Sequence, residues 1–278
     1  MPTDRELQTQ PDAGRAAPAA DTSDAQSNIG APNTPPATSG EISGAAPGKS
    51  SDTTACGAPL SLSKVVKRYA DGRAVLDGLD LEVAAGEFVV VLGRSGSGKS
   101  TLLNLIAGID VPDSGRVEVA GSDLARMSDA GRTRFRRDRI GLVFQAFNLV
   151  PTLSVLQNLC LPLELCGRSN EAKTLAERML ERLGLAGRGS EAPESLSGGE
   201  QQRVAVGRAL IHSPALILAD EPTGALDLET ARVVVELLDS MVRDNGSTLV
   251  MVTHAPEVVG VADRLLTLNA GRVVEHPA

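Results

Sequence analysis

The densest chemistry in this sequence lies in Gly93, Arg94, Ser95, Gly96, Ser97, Gly98, Lys99, Ser100 and Thr101, a complete G-x-x-x-x-G-K-[ST] phosphate loop. Its glycines let the backbone turn tightly, so that consecutive N–H groups face phosphate oxygens, and the helix that begins near Lys99 adds its positive dipole end. Lys99 is placed to reach the β- and γ-phosphates and the Ser100 hydroxyl to help hold Mg²⁺ on the same oxygens. A second constellation lies in Ala215, Leu216, Ile217, Leu218 and Ala219, an apolar run that ends in Asp220, Glu221 and Pro222. This reads as a buried parallel strand delivering two carboxylates at its carboxyl edge. Neighbouring strand residues point to opposite sides, so Asp220 is expected to face the metal and Glu221, at the strand exit, to polarise an attacking water.

Between them stands Leu196, Ser197, Gly198, Gly199, Glu200, Gln201, Gln202, Arg203. Physically this is another anion cradle: a hydroxyl, bare glycine N–H groups and the start of a helix. The octet L-S-G-G-E-Q-Q-R resembles the signature of the ABC ATPases. The resemblance implies that Ser197, Gly198 and Gly199 of one subunit cover the γ-phosphate of ATP held on another subunit's phosphate loop, in a head-to-tail homodimer. It further matches Gln145 to the glutamine that senses Mg²⁺ and water, Asp227 to the loop that crosses the dimer interface, His254 to the switch histidine and Tyr69 to the aromatic ring stacked on adenine. The similarity covers about residues 60 to 275. Within the family, Arg132 to Leu165 and Ala219 to Asp227 are most similar to the lipoprotein-releasing and macrolide-exporting group, from which Gly224-Ala225 and Gly207 depart slightly.

These motifs need a scaffold. The phosphate loop sits between the run Phe88–Leu92 and an apolar helical stretch from Thr101. Further strands are expected at Ile140–Phe144, from Thr248 and from Arg264, with a hairpin at Asn269, Ala270 and Gly271. Strands alternating with helices imply a mainly parallel α/β core. Leu62–Val66 and Leu79–Val83, with Asp77-Gly78 between, predict an antiparallel β layer. Leu175, Met179 and Leu183 predict an amphipathic helix that begins after Ser169 and Asn170 and stops at Gly184, and a second helix is expected over Glu229 to Arg243. The fold class is thus α/β, a P-loop NTPase which the resemblance makes one of ABC type, with an antiparallel β subdomain and a helical subdomain over roughly 146–210.

Of the 278 residues, the first 59 differ in kind: they hold half of the 16 prolines among Ala, Ser, Thr and Gly. Ordering so many residues costs on the order of 60–120 kcal/mol of backbone entropy, and few large apolar side chains are there to offset it. Residues 1–59 therefore read as a disordered extension and 60–278 as the ATP-binding domain. No run has the length of a membrane span and no signal-peptide core opens the sequence. Cys56, Cys160 and Cys166 lack metal-ligand spacing and read as reduced thiols. A net charge of −8 opposes nucleic-acid binding. The arginines at 126, 132, 134, 136, 137 and 139, interleaved with Asp129 and Asp138, read as a solvated helix face, with contact to a membrane partner or lipid headgroups as the alternative.

The resemblance implies an ATP hydrolase at the cytoplasmic face of the inner membrane, held there by an integral membrane permease that it drives. Glu221, His254, Gln145 and Lys99 are the expected catalytic set, and Ser100, Gln145 and Asp220 the expected ligands of Mg²⁺. A soluble ABC ATPase of translation or repair needs two cassettes or a long coiled-coil insertion, neither of which this sequence contains. A non-hydrolysing scaffold is expected to lack Glu221 or His254, and both are present.

Overall fold

The computed structural model describes residues 57–69, 72–254 and 260–275. The extension expected over 1–59 and Cys56 lie outside them, apart from Gly57, Ala58 and Pro59. Ala58 is buried, its N–H donates to Ala215 O at 3.1 Å and its carbonyl accepts from Thr248 Oγ1 at 2.8 Å, while Pro59 O accepts from Ala120 N at 2.9 Å. Ala58 and Pro59, placed in the extension by the sequence, are thus hydrogen-bonded to the folded part of the chain.

Two sheets share the chain. The first is antiparallel, in the order β2 (Ala74–Val83), β1 (Leu60–Arg68), β4 (Ser114–Val119), β5 (Ser122–Asp123). Asp77 and Gly78 lie within β2, not between the strands. Val65 pairs with Leu79 and Val66 with Asp77, so the register skips Gly78, whose φ is +69°. The dipeptide makes a bulge in the strand rather than the turn between strands.

The second sheet runs in the order β10 (Arg272–Glu275), β9 (Arg264–Asn269), β3 (Phe88–Leu92), β8 (Thr248–Thr253), β7 (Leu216–Asp220), β6 (Ile140–Phe144), parallel except for the β9–β10 hairpin. Its apolar runs are continuous because both faces are covered. Phe88, Val90, Ile217, Ala219, Leu249 and Met251 face one core, whereas Val89, Val91, Leu216, Leu218, Val250 and Val252 face the other. The first core contains α3 (Val155–Leu165), α4 (Ser169–Arg182), α5 (Gly198–Leu210) and α6 (Leu228–Asn245). The second contains α1 (Lys99–Ile106) and the antiparallel sheet. Each fully buried aliphatic side chain contributes about 1.5–3 kcal/mol. The fit of α5 on β6 depends on Gly141, where a Cβ would overlap Ala209 O of the helix backbone.

Local signals account for most helix ends. Ser154 and Ser197 form capping boxes with Gln157 and Glu200, and Asp227 caps α6 through Thr230 N. α4 lacks such a cap. Ser169 is its first helical residue, and no side chain caps it at Arg168. Its apolar stripe still buries Met179 and Leu183, as expected of a subdomain core. The arginine-rich segment forms α2 (Asp129–Arg139), which buries no residue. From it Arg136 reaches Gly108 O at 3.1 Å, beyond the last turn of α1.

Candidate functional site

The parallel register brings four chain segments to one edge. Phe144 pairs with Asp220, Asp220 with Val252, and Leu92 with Thr253, so Gln145, Glu221, His254 and Gly93 are each the next residue beyond adjacent strand ends. Ligands of open α/β sheets bind outside these carboxyl ends. A cleft of about 870 Å³ opens there, within the size range of small-molecule sites. Arg94, Ser95, Gly96, Gly98, Lys99, Ser100, Thr101, Gln145, Asp220, Glu221 and His254 line it.

The phosphate loop ends at Gly98, whose φ of +102° excludes most side chains, and no side chain caps the helix that follows. The first amides of α1 are thus left facing the cleft, as an anion site requires. Lys99 is nearly buried. Its ammonium donates to Gly93 O at 2.8 Å and Arg94 O at 3.3 Å and lies 3.3 Å from Glu221 Oε1. Gly93 and Ser97 sit on the far side of the loop, in an adjoining depression shared with His254. Ser97 Oγ is buried with no hydrogen-bond partner among the described residues.

Glu221 reaches the cleft through a turn at the exit of β7. Its φ is +48°, so the chain turns as it leaves β7 and both Asp220 and Glu221 face the cleft. Its N–H donates to Val252 O at 2.9 Å, which anchors the turn. Glu221 Oε2 lies 2.8 Å from His254 Nδ1 and accepts from His254 N at 3.1 Å. Burial pushes the Glu221 carboxyl upward, but the His254 hydrogen bonds and charge and the Lys99 ammonium outweigh it and hold its pKa below the usual carboxylate value. The amide of Gln145 packs on Gly224, where a Cβ would come within 2.8 Å of Nε2.

A cation fits this donor set. Ser100, Gln145 and Asp220 all line the cleft with oxygen donors. Among the described residues no group of three or more acidic, histidine or cysteine side chains forms a metal cage. One carboxylate completed by neutral oxygens and phosphates is how Mg²⁺ is usually held.

Tyr69 is not among the residues lining the cleft; Val75 is. The Tyr69 ring stands at the margin, half exposed, with its hydroxyl 3.5 Å from Thr101 Oγ1 and 3.3 Å from Asp110 Oδ2. Lys67 Nζ lies 5.4 Å from the ring centroid and 2.7 Å from Asp110 Oδ1. Sequence reasoning overlooked Lys67, two residues before Tyr69, and Asp110, which meets Tyr69 only in space.

Ser197, Gly198, Gly199 and Asp227 line a separate depression with Arg203, Leu226 and Thr230. There Ser197 Oγ donates to Glu200 Oε2 at 2.8 Å, and Thr230 Oγ1 donates to Asp227 Oδ2 at 2.7 Å. The phosphate loop and the Ser197–Gly199 segment thus line distinct depressions, not two walls of one cleft.

Residues 76–224 match the family model described as ABC transporter. An uncharacterized ABC transporter ATP-binding protein of Mycobacterium tuberculosis is 51% identical over 219 residues, covering 77% of this chain and 88% of its own. The lipoprotein-releasing system ATP-binding protein LolD of Xanthomonas euvesicatoria pv. vesicatoria is 44% identical over 222 residues, covering 78% and 91%. Among solved structures, the dimeric post-hydrolysis state of the ATP-binding cassette MJ0796 bound to ADP and Pi aligns with a TM-score of 0.72 at 39% identity, covering 78% of this chain and 97% of that one.

Proposed function

Since the chain belongs to the ABC transporter family as one of its ATP-binding cassettes, we propose that its cleft binds ATP with Mg²⁺ and hydrolyses it to ADP and phosphate to drive a separate membrane permease. The observation that carries this reading is the convergence of Lys99, Gln145, Asp220, Glu221 and His254 on one cleft beyond adjacent strand ends.

The phosphate-loop amides and Lys99 hold the phosphates, and Lys99 offsets charge that builds on the β–γ bridge. Ser100, Gln145 and Asp220 would hold Mg²⁺, which would supply further neutralisation of phosphate charge. Glu221, kept ionised by its neighbours, accepts a proton from the attacking water. His254 and Gln145 orient that water and the γ-phosphate. Tyr69, with one face toward Lys67, offers its other face to the adenine. Catalysis is then positioning and charge stabilisation, with no covalent intermediate.

In this reading the site is completed by a second copy, whose Ser197, Gly198 and Gly199 cover the γ-phosphate and whose Asp227 crosses the interface. The separation of the two depressions within one chain supports this arrangement, as does the dimeric state of the MJ0796 cassette. The permease belongs to the lipoprotein-releasing and macrolide-exporting group, as the LolD relative supports. It holds the chain at the cytoplasmic face of the membrane; among the described residues no helix is long and apolar enough to cross one. The direct test is phosphate release from ATP by the purified chain with and without chelator. Lys99→Ala should lower the rate at least about a hundredfold, in line with loss of a transition-state electrostatic contact, and an unchanged rate would refute the assignment.

A further inference from the structure

Two polar side chains of α5 hold backbone carbonyls of other segments and do not line the cleft itself. Gln202 is fully buried. Its amide nitrogen donates to Phe144 O at 3.2 Å and Pro222 O at 2.6 Å, the carbonyls immediately before Gln145 and immediately after Glu221. Further along the helix, Arg208 donates from Nη1 to Asn148 O at 2.5 Å and from Nη2 to Phe147 O at 3.0 Å.

Phe147 and Asn148 both have positive φ, 56° and 52°. Non-glycine residues rarely adopt this conformation and keep it only where the surroundings over-determine it. A planar guanidinium spanning both carbonyls is such a constraint, and a lysine cannot reproduce its fork. Arg208 forms no ion pair with a carboxylate among the described residues, and burial pushes its pKa below the ordinary value. Its donors serve this loop.

We propose that Gln202 and Arg208 are positioning residues through which α5 sets the places of Gln145 and Glu221. The helix that starts at the Ser197 cradle grips the chain on both sides of Gln145 and just beyond Glu221. From Ser197 to Arg208 it is a stiff rod of roughly 16 Å. A displacement of the cradle is therefore carried to the groups that orient and deprotonate water. This rests on the assignment of Gln145 and Glu221 to hydrolysis made above.

The experiment compares Gln202→Met, Arg208→Met and Arg208→Lys in the full chain, with Gln145→Ala and Glu221→Gln alongside. For the Met variants kcat should fall at least tenfold while the ATP dissociation constant stays within threefold. Amide exchange over residues 146–150 should quicken, and Arg208→Lys should lie between wild type and Arg208→Met. A general loosening would instead weaken ATP binding and turnover together, and that result overturns the proposal, as does a kcat within twofold of wild type. Should a Met variant fail to fold, Arg208→Lys, which keeps the charge and one hydrogen bond, decides by the same split. If Gln145→Ala and Glu221→Gln themselves hydrolyse normally, the underlying assignment falls; if only they lose activity, the linkage alone falls.

Discussion

Glu221 accepts two hydrogen bonds from the single residue His254, one from the backbone N–H at 3.1 Å and one shared with the ring Nδ1 at 2.8 Å. The double contact ties the end of β7 to the end of β8 where the cleft needs an ionised carboxylate, and its other oxygen lies against Lys99. His254 and Lys99 together favour the charged form of Glu221.

Glu221→Gln keeps the shape of this contact and removes the base. Hydrolysis should fall by about 10²–10⁴-fold, the usual range for loss of general-base catalysis, while ATP binding through Lys99 and Ser100 persists. Mass measured by light scattering should then rise from monomer to dimer on addition of ATP and Mg²⁺, and Ser197→Arg in the same chain should prevent the rise. A Glu221→Gln chain that stays monomeric even with its permease present would sink the two-subunit site.

The depressed pKa of Glu221 has a direction that can be checked. A carboxylate held below its ordinary value near 4.5 stays charged to lower pH, so its contribution to stability is present above that value and lost as pH falls through the lowered one. His254→Ala removes the hydrogen bond from the ring, keeps the one from the backbone N–H and leaves burial less opposed. The acid limb of kcat should consequently move to higher pH, beyond any drop in the plateau rate; an unmoved limb argues against Glu221 as the titrating base.

Tyr69 is the only tyrosine in a chain without tryptophan, so intrinsic emission reports this one ring. ATP should change that emission, whereas inorganic triphosphate should not. Tyr69→Phe should bind ATP within about twofold of wild type. Tyr69→Ala should bind it about five- to a hundredfold more weakly, since stacking on a base is worth about 1–3 kcal/mol. Equal affinity for the alanine variant would remove Tyr69 from the adenine contact.

Removing residues 1–56 should leave ATP affinity, turnover and thermal midpoint unchanged, as none of the motifs lies there. Extending the deletion through Pro59 removes the hydrogen bonds of Ala58 and Pro59 to Ala215, Thr248 and Ala120. At about 1 kcal/mol each, the loss should lower the midpoint by several degrees. Identical midpoints for the two truncations would show that 57–59 carry no stability.

Much of this was legible because it is local. The phosphate loop, the apolar strand before it and the run ending in Asp220 are contiguous patterns, and parallel strand ends place Gln145, Glu221 and His254 together once the α/β alternation is recognised. What escaped was non-local or non-repetitive. Glu221 turns into the cleft through a left-handed backbone that a glutamate gives no sign of adopting. Ala58 reads as part of a polar tail until Thr248 and Ala215 meet it. Gln202 and Arg208 look like ordinary helix residues, since the carbonyls they hold belong to segments far away along the chain. Asp110 likewise becomes a partner of Lys67 and Tyr69 only when β1 is laid beside the loop that follows α1.

The pairing of β3 bears on how this protein is made. The strand that leads into the phosphate loop has β8 on one side, with Phe88 opposite Leu249, and β9 on the other, with Val89 opposite Arg264. Both neighbours come from the last part of the chain. During synthesis, which proceeds from the N-terminus at about 5–20 residues per second, the loop emerges long before either flank exists, and the Glu221–His254 contact must wait for the same late strand. The antiparallel layer of β1, β2 and β4 can assemble early on the ribosome, whereas a competent nucleotide site forms only as translation ends. Until then, the backbone N–H and C=O groups along both edges of β3 have no strand to pair with.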